Sequence, residues 1–285
     1  MDSTALLSQV VSTSRTKPVI SWPGGKSRLL KRLLPLPAHH CYVEAFAGGL
    51  ALLLAKERSP IEVVNDMNGD LVSLYRCAQY HCEALITEIE WTLSSRANLV
   101  DFRAQPGLTE LQRAARFLVR NKTSFGGHMT SYAVAKSGGG GVGSRQNVLE
   151  ALRALNLRLD RASVEHLPYE RVLKSYDGPE TLFFLDPPYL DSDASAYAGW
   201  NQEQMTAFAE HVGALKGSWI VTVDDSPLNR ELFKAWSIEA VQTRNGVLNQ
   251  RTHGGQMFGE LIIRKQPAEA LQKPCKRRAR RSKRR

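Results

Sequence analysis

Residues 181–190 read TLFFLDPPYL. An apolar run passes without a polar break into an acid, two prolines and a tyrosine. A strand wetted on one face alternates polar and apolar side chains; this run instead suits a sheet covered on both faces. Comparable runs recur at 41–46 (CYVEAF), 61–66 (IEVVND), 163–167 (SVEHL), 218–225 (SWIVTVDD) and 259–264 (GELIIR). Helix-like segments separate them: GLALLLAKE at 49–57, NGDLVSLYRCAQYHCEALITEIEW at 68–91 and NQEQMTAFAEHVGALK at 201–216. Strands alternating with helices predict an α/β domain with a mostly parallel sheet.

The acid at the end of the 181–186 run sits where ligands bind in open α/β sheets, past the C-terminal ends of the strands. Pro187 and Pro188 remove two backbone donors and stiffen the chain. The carbonyls of Asp186 and Pro187 are thereby left without ordinary sheet partners. A carboxylate, a carbonyl and the aromatic face of Tyr189 held together match an amino group on a planar ring, with two N–H bonds to accept and a surface to stack on. The other reading of the same residues is a strand stopped by Pro-Pro with a tyrosine in the core.

A second constellation is VEAFAGG at 43–49, where a strand must turn into a helix. Glycine there lets the backbone approach a ligand. Asp66 closes the next strand run, at the distance where a carboxylate accepts ribose hydroxyls in doubly wound folds. Together these describe a pocket for an adenosine-containing ligand, although Asp66 could equally cap the helix that follows. At the N-terminus, SWPGGKS (21–27) ends like a phosphate loop, but Ile20 stands where its first glycine belongs, so no triphosphate site is read there.

The 285 residues are 42% hydrophobic and contain no apolar run long enough to span a bilayer. Four cysteines show no zinc-ligand spacing and are read as reduced thiols. The net charge of +10 is concentrated in KPCKRRARRSKRR at 273–285; the rest of the chain holds 29 basic and 28 acidic residues. That tail reads as a solubilising segment, a nuclear-import signal or a tether for a polyanion. Between 93 and 160 the alternation breaks. Helical segments at 108–121 and 144–161 flank a stretch with glycines at 138–141 and 143, either a recognition insertion or a helical hairpin with a loose connector.

WPGGK at 22–26, EAFAGG at 44–49, LVRNKTSFGG at 118–127 and DPPY at 186–189, in that order, resemble the Dam-like adenine-N6 DNA methyltransferases of the D12 class. The resemblance covers about residues 18–265; Ala45 departs from it, since the family often has proline there. It implies a Rossmann-like S-adenosylmethionine-dependent methyltransferase fold with a mixed, mostly parallel sheet. The implied domains are an N-terminal extension (1–17), a catalytic domain (18–92 and 161–265), a mainly helical target-recognition insertion (93–160) and a basic tail (266–285). By the same resemblance, Asp186, Pro187, Pro188 and Tyr189 are catalytic, and Trp22, Lys26, Glu44, Phe46, Gly48, Asp66 and Asp186 bind S-adenosylmethionine. Asn121, Lys122, Arg145 and Tyr197 are expected to contact double-stranded DNA, Tyr197 from a loop at 191–200 that covers the site. The expected protein is a cytoplasmic monomer without membrane or metal. Cytosine-N4 methylation uses the same logic but more often has serine before Pro-Pro-Tyr. Covalent cytosine-C5 chemistry is rejected, because the one Pro-Cys, at 274–275, lies in the tail. A DNA-binding module that has lost turnover is the alternative from another class.

Overall fold

The computed structural model describes residues 17–92, 95–124, 127, 129, 145–190, 200–244 and 257–265. The N-terminal extension, the glycine run at 138–143, Tyr197 and the basic tail lie outside the described residues. In chain order the elements begin with α1 (Leu30–Leu33), β1 (Cys41–Glu44), α2 (Ala51–Ala55), β2 (Ile61–Asn65), α3 (Gly69–Tyr80) and α4 (Cys82–Trp91). They continue with α5 (Arg96–Ala104), α6 (Glu110–Thr123), α7 (Arg145–Leu159), β3 (Ala162–Glu165), α8 (Tyr169–Tyr176) and β4 (Thr181–Leu185). Last come α9 (Gln202–Gly213), β5 (Ser218–Asp224), α10 (Pro227–Leu232), β6 (Ser237–Arg244) and β7 (Met257–Arg264).

The seven strands among the described residues belong to one compact unit, Lys31–Ala47, Arg58–Val72 and Arg161–Arg285. They form a single sheet in the order β3-β2-β1-β4-β5-β7-β6. The first five strands in that order are parallel, and β7 runs antiparallel between β5 and β6. The chain leaves β1 toward β2 and β3 on one side and returns to β4 on the other, so strand order reverses between β1 and β4. Every residue of β4 is buried, as its unbroken apolar run requires. One face of the sheet (Val43, Val63, Phe183, Leu185, Val221, Val223) packs against Val172 and Leu173 of α8, Met205, Phe208 and Val212 of α9, and Phe233. The opposite face, with Val64, Leu182, Phe184, Ile220 and Ile262, is equally buried. Each such side chain contributes about 1.5–3 kcal/mol by leaving water. The start of α9 is fixed by a reciprocal capping box between Asn201 and Gln204.

The other unit is Met1–Leu30, Gly48–Glu57 and Ser73–Asp160. Within it α6 packs on α4 and α5, and α4 packs on α7. Ser95 and Thr109 cap α5 and α6 by accepting the backbone N–H of Asn98 and Gln112. This unit takes in α4 because α4 packs against both α6 and α7. The continuous helix expected over 68–91 is a pair of helices: His81 leaves helical geometry at φ −133° and ψ 36°, ending α3 and starting α4. β6 was absent from the sequence expectation. It is an edge strand paired only with β7 and carries Glu239 and Gln242 among its apolar residues.

Candidate functional site

In the sheet unit, three of the expected residues follow directly past the ends of β2, β1 and β4. Glu44 pairs in register with Val64 on one side and Phe184 on the other. Two residues further along each strand direction stand Asp66, Phe46 and Asp186. This row crosses the point where strand order reverses, the usual ligand crevice of an open α/β sheet. Asn65 stitches the row together from below. Its amide donates to the carbonyls of Ala45 (2.9 Å) and Leu167 (3.0 Å), its Oδ1 accepts the Leu167 N–H (2.8 Å), and its own carbonyl accepts Ala47 N–H (2.8 Å). Asn65 is 1% exposed, and the sequence reading passed over it beside its acidic neighbour.

Asp66 is also 1% exposed. Its Oδ1 accepts the Asn68 N–H at 2.9 Å, while Asn68 Oδ1 accepts the N–H groups of Asp70 and Leu71 at 3.1 Å. Asn68, not Asp66, therefore caps α3, which removes the capping alternative for the acid. Glu44, equally buried, accepts the Tyr42 hydroxyl at 2.6 Å. Phe46 turns inward: its ring lies 5.5–5.9 Å from those of Tyr169, Trp200 and Phe208. It thus supports the β1 turn from beneath.

Past β4, Pro187 and Pro188 are buried while Asp186 and Tyr189 remain partly exposed. The hydroxyl of Thr222, on β5, donates to Asp186 Oδ1 at 2.7 Å. The Tyr189 hydroxyl donates to Glu260 Oε1 at 2.8 Å, and Glu260 stands opposite Asp224 in the β5–β7 ladder. Burial, followed by the charges of Asp186, Glu260 and Asp224, pushes the Tyr189 phenol well above its ordinary range. It stays protonated and able to donate throughout neutral pH. Neither Thr222 nor Glu260 was singled out from the sequence; the available signal was one hydroxyl inside the apolar run of β5.

In the helical unit, Gly24 (φ +74°) and the bond from Gly25 N–H to the Trp22 carbonyl (3.0 Å) form a tight turn. Lys26 follows it, 4% exposed rather than out in solvent, with its ammonium donating to the Gly24 carbonyl at 2.5 Å. The Trp22 indole lies on Gly48, whose φ is +45°; a Cβ there would sit 2.8 Å from Cδ1 and 3.0 Å from Nε1. Tyr75 donates its hydroxyl to the Gly48 carbonyl.

One expected DNA contact is corrected. Asn121 is 1% exposed, and its amide is engaged by Ser21 and Gly127: Oδ1 accepts Ser21 N–H (2.9 Å), and Nδ2 donates to the carbonyls of Ser21 (2.7 Å) and Gly127 (3.3 Å). With its donor and its acceptor both bonded to backbone groups, this amide is committed to holding Ser21 and Gly127 rather than a base. Lys122, next along α6, is partly exposed, and burial pulls its ammonium below the usual range. Arg145 opens α7 exposed, donating to the Glu90 carbonyl at 3.3 Å. Among the described residues no cluster of three or more His, Cys, Asp or Glu could hold a metal ion, and no helix is long and apolar enough to cross a membrane.

Residues 22–246 match the family model described as D12 class N6 adenine-specific DNA methyltransferase. Among curated proteins, the chain is 27% identical to the type II methyltransferase M1.LlaDCHI of Lactococcus lactis subsp. cremoris, over 87% of this chain and 94% of that one. It is 25% identical to the type II methyltransferase M.CviBI of Paramecium bursaria Chlorella virus NC1A, covering 77% and 87%. It is 24% identical to the Retron Ec67 DNA adenine methylase of Escherichia coli, covering 80% and 85%.

Proposed function

Because the chain belongs to the D12 class of N6 adenine-specific DNA methyltransferases, we propose that Asp186, Pro187, Pro188 and Tyr189 hold the target adenine while the tips of β1 and β2 hold the methyl donor. The chain is a site-specific DNA methyltransferase acting on adenine N6, and its family implies S-adenosylmethionine as donor. The observation that carries the residue assignment is the pairing of Glu44 with Val64 and Phe184, which brings the chain out at Asp66 and Asp186 just past neighbouring strand ends, on either side of β1 and across the reversal of strand order.

The residues present fit such a donor. Asp66 and Glu44 are buried carboxylates at adjoining strand ends, suited to accept ribose hydroxyls and to face a cation. Within the helical unit, Gly48 leaves no room for a Cβ beneath the planar Trp22 indole. Trp22 and Lys26 are assigned to the donor by the family's W-x-G-G-K segment. When bound, S-adenosylmethionine supplies an electrophilic methyl group on a positively charged sulfur.

The adenine amine is a poor nucleophile, since its lone pair is delocalised into the ring. Asp186 and the Pro187 carbonyl accept its two N–H bonds and return electron density to nitrogen. The Tyr189 ring replaces the stacking the base loses on leaving the duplex, because a stacked adenine cannot reach a strand-end corner. Positioning and electrostatics do the work, without a covalent enzyme intermediate. Lys122 and Arg145, at the ends of α6 and α7, are assigned to the DNA backbone, where a cation adds affinity without sequence information.

Transfer of label from S-adenosylmethionine to an adenine-containing duplex by wild type, lost in Asp186→Ala, tests the proposal. Long-read sequencing of DNA from expressing cells identifies the modified base and its context. Label on cytosine, or DNA binding without transfer by wild type, would overturn it.

A further inference from the structure

Thr222 is the one hydroxyl within the apolar run Trp219–Val223 of β5, which reads Ser-Trp-Ile-Val-Thr-Val-Asp. It is 0% exposed, between Val221 and Val223, which are equally buried. Valine has nearly the same shape, so packing alone would accept it. What threonine adds is an O–H, and that O–H is donated to Asp186 Oδ1 at 2.7 Å. A bond of this kind to a carboxylate is charge-assisted and stronger than one between neutral groups. At the other end of the tetrapeptide, Tyr189 donates to Glu260.

Thr222 and Glu260 stand on one ladder. Thr222 pairs with Ile262 and Asp224 with Glu260, so Thr222 and Glu260 occupy the same face, one side-chain repeat apart along β7. The first and last residues of Asp-Pro-Pro-Tyr are thus held by neighbouring positions of the same antiparallel strand pair. The prolines fix the backbone between them, but they do not fix the Asp186 carboxylate. Its terminal torsion is soft and broad, and a partner such as the Thr222 hydroxyl selects one orientation.

We propose that Thr222 and Glu260 are positioning residues for methyl transfer. Thr222 sets the rotation of the Asp186 carboxylate and Glu260 sets the pose of the Tyr189 ring, so the β5–β7 ladder defines the geometry in which the adenine amine is held. This rests on the methyl-transfer function proposed above.

Single-turnover transfer from labelled S-adenosylmethionine to an adenine-containing duplex tests it. Thr222→Val slows the transfer step about 10- to 100-fold, the loss expected for one hydrogen bond to a charged group, with the KM for S-adenosylmethionine unchanged within about twofold. Its Tm is not lowered, and Thr222→Ser, which retains the hydroxyl, recovers most of the rate. Glu260→Ala and Tyr189→Phe each slow transfer, and the double variant is no slower than the slower single variant, because both remove the same bond. Transfer by Thr222→Val at the wild-type rate, an equal loss in Thr222→Ser, or independent losses from Glu260→Ala and Tyr189→Phe would overturn the inference. Asp186→Ala separates the two levels: if it is inactive while Thr222→Val is unimpaired, only the positioning role falls. If wild type itself transfers no label to adenine, the methyl-transfer function falls and the positioning role with it.

Discussion

Asn121 pairs with Ser21 as a neighbouring strand would, accepting its N–H at 2.9 Å and donating to its carbonyl at 2.7 Å across 100 residues of chain. An amide side chain has one donor group and one acceptor, the same complement as a peptide unit, so it can pair with both backbone groups of a single residue. The residue it holds is the one immediately before Trp22. Asn121→Ala leaves three backbone groups, the Ser21 N–H and carbonyl and the Gly127 carbonyl, to find other partners, at a cost of about 1–3 kcal/mol for each one left unpaired. The expected outcome is a raised KM for S-adenosylmethionine with an unchanged methylation context, read by steady-state kinetics and long-read sequencing. A relaxed context with normal cofactor affinity would return Asn121 to the DNA-reading surface.

Two glycines at positive φ separate a movable neighbour from an immovable one. At Gly127 (φ +77°) a Cβ would stand 2.2 Å from the Ser21 carbonyl oxygen, which is backbone. At Gly48 (φ +45°) it would meet the edge of the Trp22 indole, a side chain that can swing away. Left-handed backbone costs an alanine about 1–2 kcal/mol at either site. Gly127→Ala is therefore expected to lower the Tm more than Gly48→Ala. Gly48→Ala, by displacing Trp22, raises the KM for S-adenosylmethionine about tenfold, equivalent to about 1.4 kcal/mol. Differential scanning calorimetry and cofactor titration distinguish the two effects.

Asp66 and Asn68 divide two duties that the sequence allowed a single residue to hold. Asn68→Ala removes the cap of α3 and is expected to cost about 1 kcal/mol of stability, with cofactor affinity little changed. Asp66→Ala is expected to weaken S-adenosylmethionine binding at least tenfold, the loss of hydrogen bonds to a charged acceptor. Isothermal titration of both variants with S-adenosylmethionine checks the division. Equal affinity loss in both would show that the whole turn, rather than the acid, binds the cofactor.

The parts of the fold legible in the sequence were those dictated by burial on both faces. The short apolar-rich runs that become β1, β2, β4, β5 and β7 lack the regular polar alternation of a strand wetted on one face. β6 escaped because only Ile238, Ala240 and Val241 of its eight residues are apolar, and Glu239 keeps them from forming a run. The division at His81 escaped because Leu85 and Ile89 continue the apolar spacing on its far side; hydrophobic period reports which face is buried, not whether the axis bends. Among the candidate residues, Asp186 and Tyr189 were conspicuous in the sequence because Pro-Pro between an acid and an aromatic is uncommon chemistry. Thr222, Glu260 and Asn65 were not, since each acts through a partner distant in sequence, and nothing in the neighbouring residues marks the pairing. Asn121 failed for the opposite reason: a polar residue near a recognition segment looks outward until the backbone folded over it is known.

The described cysteines give a pH dependence whose sign follows from burial. Cys77 is 2% exposed, and burial, assisted by the charge of Glu110, raises its thiol to about 11. Cys41 and Cys82 are raised as well, chiefly by burial. A group whose folded pKa exceeds its unfolded value near 9 binds its proton more tightly when folded. Its contribution to stability is fully present below pH 9 and is lost as pH climbs toward 11. In a Cys275→Ser background, which removes the thiol of the basic tail, the native protein is expected to react slowly with iodoacetamide at pH 8 and its Tm to fall between pH 9 and 11. Cys77→Ala in that background lowers the Tm somewhat at pH 8 through the small cavity it leaves, but it flattens the alkaline fall. An alkaline slope unchanged by Cys77→Ala would assign the loss to other groups.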